Sequence, residues 1–287
     1  MFDRFVVVDW SANSTPKRGR DSIWVAVLDH SGSLWVENPA TRAAAERLLL
    51  ELFEKDRAAA TLVGVDFSLG FPHGTAAALG LAGTPWSSMW ALLADRITDD
   101  DRNANNRFVV ASELNRRLTG GAAPFWGCPP SAASDHLATT KPSTSAGLAQ
   151  FRATEEVLRC QGLYPFSAWQ LLGAGAVGGQ SLLGIARLHD LRSRLSDRVH
   201  LWPFTTGFRP PPPVDGAIVV AEIWPSMLAL DVNDGEVRDA AQVAATARWL
   251  AATDSEGRLE TFFSPVLRPD VSTAALEEEG WALGVLP

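Results

Sequence analysis

Cysteine and long apolar runs are scarce in this sequence of 287 residues. Its two cysteines, Cys128 and Cys160, form no Cys-x-x-Cys pair, so neither a disulfide framework nor a zinc site is indicated. None of the five histidines has the spacing found in zinc hydrolases. No segment approaches the roughly 20 apolar residues that span a membrane, and residues 1–10 do not resemble a signal peptide. We therefore expect a cytoplasmic protein with no membrane partner.

Basic residues are fewer than acidic residues. Lys and Arg number 25 against 33 Asp and Glu, which gives a formal net charge of -8. Proteins that bind duplex nucleic acid gain much of their affinity from Lys and Arg side chains that contact phosphates. Strong non-specific binding to a duplex is therefore disfavoured. The hydrophobic content of 46% excludes a disordered chain, since such chains combine low hydrophobicity with high net charge.

What the sequence does contain is a series of short β-branched runs and amphipathic stretches. After the first strand, two strands around a Gly/Ser turn form a hairpin, and a helix then leads to a fourth strand. Such a helical crossover places the new strand parallel in the same sheet. We predict strands at residues 4–10, 22–28, 34–37, 61–68 and 217–223, and helices at residues 41–57, 86–97, 105–118, 148–160, 181–195 and 237–252.

The expected fold class is α/β, with a mixed sheet of three antiparallel strands followed by parallel strands. The middle of the chain is rich in Gly, Ala, Ser and Pro and is predicted to be mostly helical, with a run of prolines at 210–213. We therefore predict a core made of residues 1–70 and 214–287, interrupted by an insertion at residues 71–213. An acidic turn is predicted at residues 233–235.

Two of the predicted strands end in the same short motif, in which Val, Asp, an aromatic residue and Ser follow one another. The acids are Asp9 and Asp66. If the strands are parallel neighbours, both carboxylates lie at the carboxyl edge of the sheet, where ligands bind in open α/β folds. Two adjacent carboxylates repel one another, which raises a pKa or requires a cation. Mg²⁺ or Mn²⁺ is the predicted cofactor, because such cations prefer oxygen ligands.

Two further acids are candidates at this edge. Glu222 lies within an otherwise apolar strand, where a carboxylate needs a partner. Asp239 lies near the start of the last predicted helix, with Gln242 on the same face. Several convergent acids are what metal-dependent phosphoryl chemistry uses. We therefore predict Asp9, Asp66, Glu222 and Asp239 as catalytic residues, and Asp9, Asp66 and Asp239 as metal ligands.

Each of these acids also has a structural interpretation. Asp9 and Asp66 could cap turns or helices. Asp239 could instead complement the dipole of its helix.

Six segments carry a resemblance to a known family: VVVDWSA (6–12), DSIWVAV (21–27), GVDFSLGFP (64–72), PFWGCPP (124–130), AEIWPS (221–226) and RDAAQV (238–243). They are similar to domain of unknown function 429, a family of predicted ribonuclease H-like nucleases. The resemblance implies a ribonuclease H-like mixed sheet with a large, mostly helical insertion, and a two-metal nuclease-type site.

The resemblance also suggests where the metal ligands lie. In the ribonuclease H-like fold the first and fourth strands supply acids, which matches Asp9 and Asp66. A C-terminal helix supplies another acid in the Holliday-junction resolvase branch, which matches Asp239. The alternatives for a helical acid, as in ribonuclease H itself, are Glu46, Glu51 and Glu54 of the first predicted helix.

Several polar side chains are predicted to contact substrate: Ser11, Lys17, Arg18, Ser68, Gln180 and Gln242. Lys17 and Arg18 could equally belong to a solvated loop. The segment 173–178 fits Gly-x-Gly-x-x-Gly, but no β-branched strand precedes it, so a dinucleotide site is disfavoured and a phosphate-binding loop is favoured. Trp10 and Trp224 adjoin proposed site acids and could stack on a base.

The sequence thus favours a metal-dependent, nuclease-like phosphodiester hydrolase. Because the chain is acidic, a single-stranded or small nucleic acid, or a nucleotide-type molecule, is the preferred substrate. One alternative is an actin-like or sugar-kinase-like phosphotransferase, whose half-domain has the same order of strands and helix. Another is a non-catalytic member of the fold that binds a nucleotide or a protein.

Overall fold

The computed structural model describes residues 1–143, 147–173, 175–211, 214–228, 230, 235 and 237–287. Parts of three sequence predictions lie outside these residues: the acidic turn at 233–235, the proline run at 210–213 and the glycine-rich segment at 173–178. Within the described ranges, no helix is long and apolar enough to cross a membrane.

The strands join into one mixed sheet. They are β1 (Arg4–Asp9), β2 (Trp24–Asp29), β3 (Leu34–Glu37), β4 (Thr61–Val65), β5 (Val199–Leu201) and β6 (Ile218–Glu222). The order across the sheet is β3-β2-β1-β4-β6-β5. β2 is antiparallel to both β1 and β3, whereas β4 is parallel to β1 and β6, and β5 is parallel to β6. The predicted α/β class and the change from antiparallel to parallel pairing are confirmed.

Helices connect and cover the strands. They are α1 (Arg42–Lys55), α2 (Thr75–Ala78), α3 (Pro85–Arg96), α4 (Arg107–Thr119), α5 (Ala153–Cys160), α6 (Val177–Leu195), α7 (Arg238–Ser255), α8 (Leu259–Phe263) and α9 (Pro269–Ala274), followed by a π-helical turn at Ala275–Glu279. The side chain of Thr41 accepts a hydrogen bond from the backbone N–H of Ala44, so Thr41 caps α1 as the sequence predicts.

Alternate residues of each strand point to opposite faces of the sheet. Both faces are buried, each by its own apolar cluster. On one face, Val6, Val8 and Val63 belong to an apolar cluster with side chains of α1, α3, α4 and α6. We call it the insertion-side cluster. On the other face, Val7 and Leu62 pack with side chains of α7, α8 and the segment 281–285. The sheet is therefore the middle of three layers.

Some elements differ from the sequence predictions. The edge strand β5 was not predicted, because three residues are too few to show an alternating pattern. It lies within residues 71–213 and yet pairs with β6. Helices α2, α8 and α9 were also missed, and α5 begins at Ala153 instead of 148. The division into a core and an insertion stays a prediction.

Candidate functional site

The side chains of Asp9 and Asp66 meet at the carboxyl edge of the sheet. Asp9 is the last residue of β1, and Asp66 directly follows β4. The two strands are parallel with Val8 opposite Val65, so their ends lie side by side. The backbone N–H of Trp10 donates a hydrogen bond to Oδ1 of Asp66 (2.8 Å). The two carboxyl groups are close enough for the charge of Asp66 to raise the pKa of Asp9.

This proximity changes the acidity of both groups. Burial, and then the charge of Asp66, raises the pKa of Asp9 well above its ordinary value. Burial raises the pKa of Asp66 to about 6, although the hydrogen bond from the Trp10 N–H opposes the shift. Without a cation, the pair therefore holds a proton more tightly than two separate carboxyl groups would.

Asp239 lies near this pair, in the first turn of α7. Its charge contributes to the raised pKa of both Asp9 and Asp66. Its Oδ2 accepts a hydrogen bond from the backbone N–H of Asp21 (2.7 Å). Asp21 has a φ of 53°, and its charge also raises the pKa of Asp9. A third and a fourth acid thus contribute negative charge to this edge.

Glu222 has a partner inside the chain. It ends β6 opposite Val65, and Arg152 donates hydrogen bonds to both of its carboxylate oxygens. Arg152 also pairs with Glu155 of α5, and all three side chains are buried. Burial raises the pKa of Glu155 to about 7, against the opposing charge of Arg152. The buried carboxylate that the sequence placed in an apolar strand is therefore paired with an arginine of the chain.

Two cavities border the carboxylate pair. The Asp9 cavity has a volume of about 600 Å³ and is lined by Asp9 and Asp239, among others. The Asp66 cavity has a volume of about 310 Å³ and is lined by Asp66 and Glu222, among others. Gln180 lines both cavities. Its side-chain amide also donates a hydrogen bond to the carbonyl oxygen of Trp10, which ties the start of α6 to the end of β1.

Most of the predicted substrate-contacting residues line these cavities. Ser11 lines the Asp9 cavity, Ser68 and Gln242 line the Asp66 cavity, and Gln180 lines both. Lys17 and Arg18 line neither cavity. The Nη1 of Arg18 donates to the carbonyl oxygen of Asn38 (2.7 Å), and the Nζ of Lys17 is 3.7 Å from Oδ2 of Asp21. In that loop, Arg20 lines the Asp9 cavity instead.

The two tryptophans next to site acids have different surroundings. Trp10 is only 5% exposed and packs against Phe67, so its ring is not accessible for base stacking. Trp224 is partly exposed and lines the Asp66 cavity together with Phe166 and Tyr164. An aromatic platform is therefore present beside Asp66, and most of it comes from residues that the sequence did not indicate.

The acids of α1 line neither cavity. Glu46 is buried and pairs with Arg187, whose Nη1 is 2.9 Å from Oε2. Glu54 pairs with Arg57 and Arg198 at the surface, and Glu51 is exposed. Of the helical acids considered, Asp239 is the one that lines a cavity beside the pair.

Glycines in the glycine-rich segment allow α6 to begin close to the segment that precedes it. A Cβ on Gly178 would lie 2.3 Å from the carbonyl oxygen of Ala168, and one on Gly179 would lie 2.8 Å from that of Leu171. Gly173 and Gly175 have positive φ angles of 113° and 70°. Residues 166–172 form no strand within the described residues, as their sequence predicts.

Arg42 and Arg107 both hold loops at the Asp9 cavity. Nη1 of Arg42 donates to the carbonyl oxygens of Ser11 and Asn13, both at 2.8 Å. Nη1 of Arg107 donates to Ser14 Oγ at 3.0 Å. Neither contact has a sequence signal, because each joins residues far apart in the chain.

The chemistry of the donor set suits a divalent cation with oxygen ligands. Mg²⁺ usually takes one or two carboxylates from a protein and completes its shell with water and substrate oxygens. Among the described residues, no group of three or more His, Cys, Asp or Glu side chains could hold a metal ion. The fit therefore depends on the pair of Asp9 and Asp66, with Asp239 as the nearest further acid that the sequence predicted.

Comparison with known proteins does not assign this site. No family model, no curated protein and no solved structure matches the chain.

Proposed function

We propose that the chain is a divalent-cation-dependent hydrolase of phosphodiester bonds with a ribonuclease H-like fold. The observation that carries this proposal is the pair of neighbouring carboxyl groups, Asp9 and Asp66, at the ends of two parallel strands. Both carboxyl groups are half-buried, and a cation would relieve their mutual repulsion. The sheet, with antiparallel strands on one side of β1 and parallel strands on the other, supports the fold assignment.

In this proposal Asp9 and Asp66 hold Mg²⁺ or Mn²⁺, and Asp239 adds negative charge beside them. When bound, the cation would stabilise negative charge on a phosphoryl group and promote the deprotonation of water. The N–H of Trp10 orients the carboxylate of Asp66. The side chain of Gln180 fixes the carbonyl group of Trp10 and so the end of β1.

The surroundings of the pair favour a small or single-stranded substrate with a base. The partly exposed rings of Phe166, Tyr164 and Trp224 line the Asp66 cavity and could stack on an unpaired nucleobase. The formal net charge of -8 opposes non-specific binding to a duplex. A single-stranded oligonucleotide or a nucleotide-type phosphodiester is therefore the substrate class we propose.

The test is Mn²⁺ binding, measured by calorimetry on the wild-type protein and on Asp9→Asn and Asp66→Asn. Asp95→Asn serves as the control, because Asp95 is an exposed carboxylate on α3. We expect both site variants to lose Mn²⁺ binding by about tenfold or more, since each removes a charged oxygen ligand. The control should bind like the wild type. Hydrolysis of a short single-stranded oligonucleotide with Mn²⁺ is measured on the same four proteins.

The outcomes separate the proposed hydrolase from its alternatives. Mn²⁺-dependent cleavage that is lost in both site variants and kept in Asp95→Asn supports the proposal. Unchanged Mn²⁺ affinity in both site variants overturns the assignment of the site. Mn²⁺ binding without cleavage of either an oligonucleotide or bis-p-nitrophenyl phosphate overturns the hydrolase and favours a non-catalytic binding protein.

A further inference from the structure

One buried arginine at the Asp9 cavity has no carboxylate partner. Arg107 is 5% exposed and lines this cavity. Its Nη1 donates to Ser14 Oγ (3.0 Å) and to Asn105 Oδ1 (2.8 Å), which are both neutral groups. Its Nε is buried with no hydrogen-bond partner among the described residues. A buried charge in such a position is costly unless an anion balances it.

The other buried arginines of the described chain are all neutralised. Arg4 pairs with Asp56, Arg42 with Asp99, and Arg152 with Glu155 and Glu222. Within the same residues, no carboxylate lies within ion-pair distance of Arg107. Burial and the nearby charge of Arg42 lower its pKa to about 10, although the charge of Asp99 opposes the shift, so Arg107 stays cationic at neutral pH. Asp99 itself is paired with Arg42 and Arg187. Its positive charge is therefore available to an anion from outside the chain.

The N-terminus of α6 lies beside Arg107 at the Asp9 cavity. α6 is a helix of 19 residues, and its first turn has no side-chain cap. One of its first N–H groups, that of Gly178, donates to the carbonyl oxygen of Gln170 (2.8 Å), so the remaining N–H groups of the turn are the ones open to an anion. Gly175 and Ala176, which precede it, line the Asp9 cavity. A Cβ on Gly179 would lie 3.4 Å from Nε of Arg107, so the first turn of the helix is adjacent to the guanidinium group. The N-terminus of a helix carries partial positive charge and favours anions.

We infer that Arg107 and the first turn of α6 form a phosphate-binding subsite in the Asp9 cavity, which holds a phosphate group of the substrate. Guanidinium groups bind phosphate oxygens with charge-assisted hydrogen bonds, which are stronger than those between neutral groups. The acids Asp9 and Asp239 line another part of the same cavity. The inference rests on the proposed function in that it assigns the bound phosphate to the substrate of the carboxylate pair.

The experiment measures the binding of inorganic phosphate to the metal-free protein by ³¹P NMR titration at constant ionic strength. The variants are Arg107→Gln and, as a matched control, Arg116→Gln, which removes an exposed arginine from the same helix, α4. We expect Arg107→Gln to bind phosphate about tenfold more weakly or worse, since hydrogen bonds to charged groups are among the stronger ones. Arg116→Gln should bind phosphate like the wild type.

A second measurement covers the case in which Arg107→Gln does not fold. Hydrogen exchange of wild-type residues 175–186 is followed with phosphate and with an equal ionic strength of chloride. Slower exchange in phosphate alone supports the subsite, because the bound anion holds the first turn of α6. Equal exchange in both salts, or equal phosphate affinity of Arg107→Gln and the wild type, overturns it.

Failure of this inference can be told from failure of the proposed function, because phosphate binding is measured without metal and Mn²⁺ binding without phosphate. Phosphate binding through Arg107 in a protein that binds no Mn²⁺ supports the subsite and contradicts the hydrolase. Mn²⁺ binding through Asp9 and Asp66 with no phosphate binding contradicts the subsite alone.

Discussion

Single residues decide how the buried charges of this protein are balanced. Arg152 sits between Glu155 and Glu222, so one positive charge faces two carboxylates. The cluster is buried, and burial raises the pKa of Glu155 to about 7. Breaking such a cluster by removing the arginine is costly, whereas removing the surplus charge is not.

The first prediction at this scale concerns Glu155→Gln. The folded-state pKa of about 7 exceeds the ordinary 4.5, so the folded protein binds this proton more tightly than the unfolded chain. Stability from this group is complete below about pH 4.5 and is lost as the pH rises to about 7. Gln cannot ionise and can still accept the hydrogen bond from the backbone N–H of Arg152. Thermal unfolding should therefore show the melting temperature of Glu155→Gln rising relative to the wild type between pH 5 and pH 8.

The control for this variant is Glu156→Gln, which removes an exposed carboxylate from the same turn of α5. Its melting temperature should differ from that of the wild type by an amount that does not change over this pH range. A constant difference for Glu155→Gln would show that burial does not shift the pKa of Glu155.

Individual site residues differ in whether the sequence alone can reveal them. Asp9 and Asp66 were predicted because each ends a β-branched run, a local pattern that also fixes where its side chain lies. Arg107 and Arg152 carry no such pattern. The partner of Arg152 on β6 is 70 residues away, and Arg107 is informative because it lacks a carboxylate partner, which only the folded arrangement reveals.

Among the elements, α6 connects the sheet to both cavities. Its side chains Leu182 and Ile185 belong to the insertion-side cluster. In its first turn, Gln180 lines both the Asp9 cavity and the Asp66 cavity, and Val177 lines the Asp66 cavity. The sequence predicted this helix from residue 181, whereas it begins at Val177. Gly178 and Gly179 lower the helix propensity of the first turn, and they are present because the backbone of residues 168–171 lies against them.

Gly178→Ala tests this close approach. At an exposed helical position, replacing Gly by Ala stabilises a protein by up to about 1 kcal/mol. At Gly178 the new Cβ would lie 2.3 Å from a backbone carbonyl oxygen, which cannot move as a side chain could. We therefore expect a loss of about 1–3 kcal/mol in the free energy of unfolding in urea.

Ser193→Ala is the comparison for Gly178→Ala, since Ser193 is exposed near the end of the same helix. It should change the free energy of unfolding by about 0.5 kcal/mol or less. A stabilised Gly178→Ala protein would contradict the close contact between α6 and residue 168.

At the scale of the whole molecule, the segment 71–213 shares its apolar core with the sheet. The insertion-side cluster contains Val63 and Val65 of β4. It also contains three side chains of the segment 71–213: Trp90 of α3, Leu182 of α6, and Phe125, which lies between helices. The sequence indicated helices in this segment from their periodicity, but it could not indicate that they cover the sheet, because such contacts depend on tertiary packing. The candidate site follows from this arrangement, since the segment contributes Arg107, Arg152 and Gln180 to its surroundings.

A shared core predicts that the protein unfolds in one cooperative transition. Urea unfolding followed by far-ultraviolet circular dichroism and by tryptophan fluorescence should give the same midpoint. Leu182→Ala removes a fully buried side chain between α6 and the sheet, and should lower both midpoints together at a cost of about 2–5 kcal/mol. The control Leu172→Ala changes a side chain that is 43% exposed and should leave the midpoints nearly unchanged. Two separate transitions, in the wild type or in Leu182→Ala, would instead show that residues 71–213 fold as a unit of their own, so that the cavities form only after that unit has docked on the sheet.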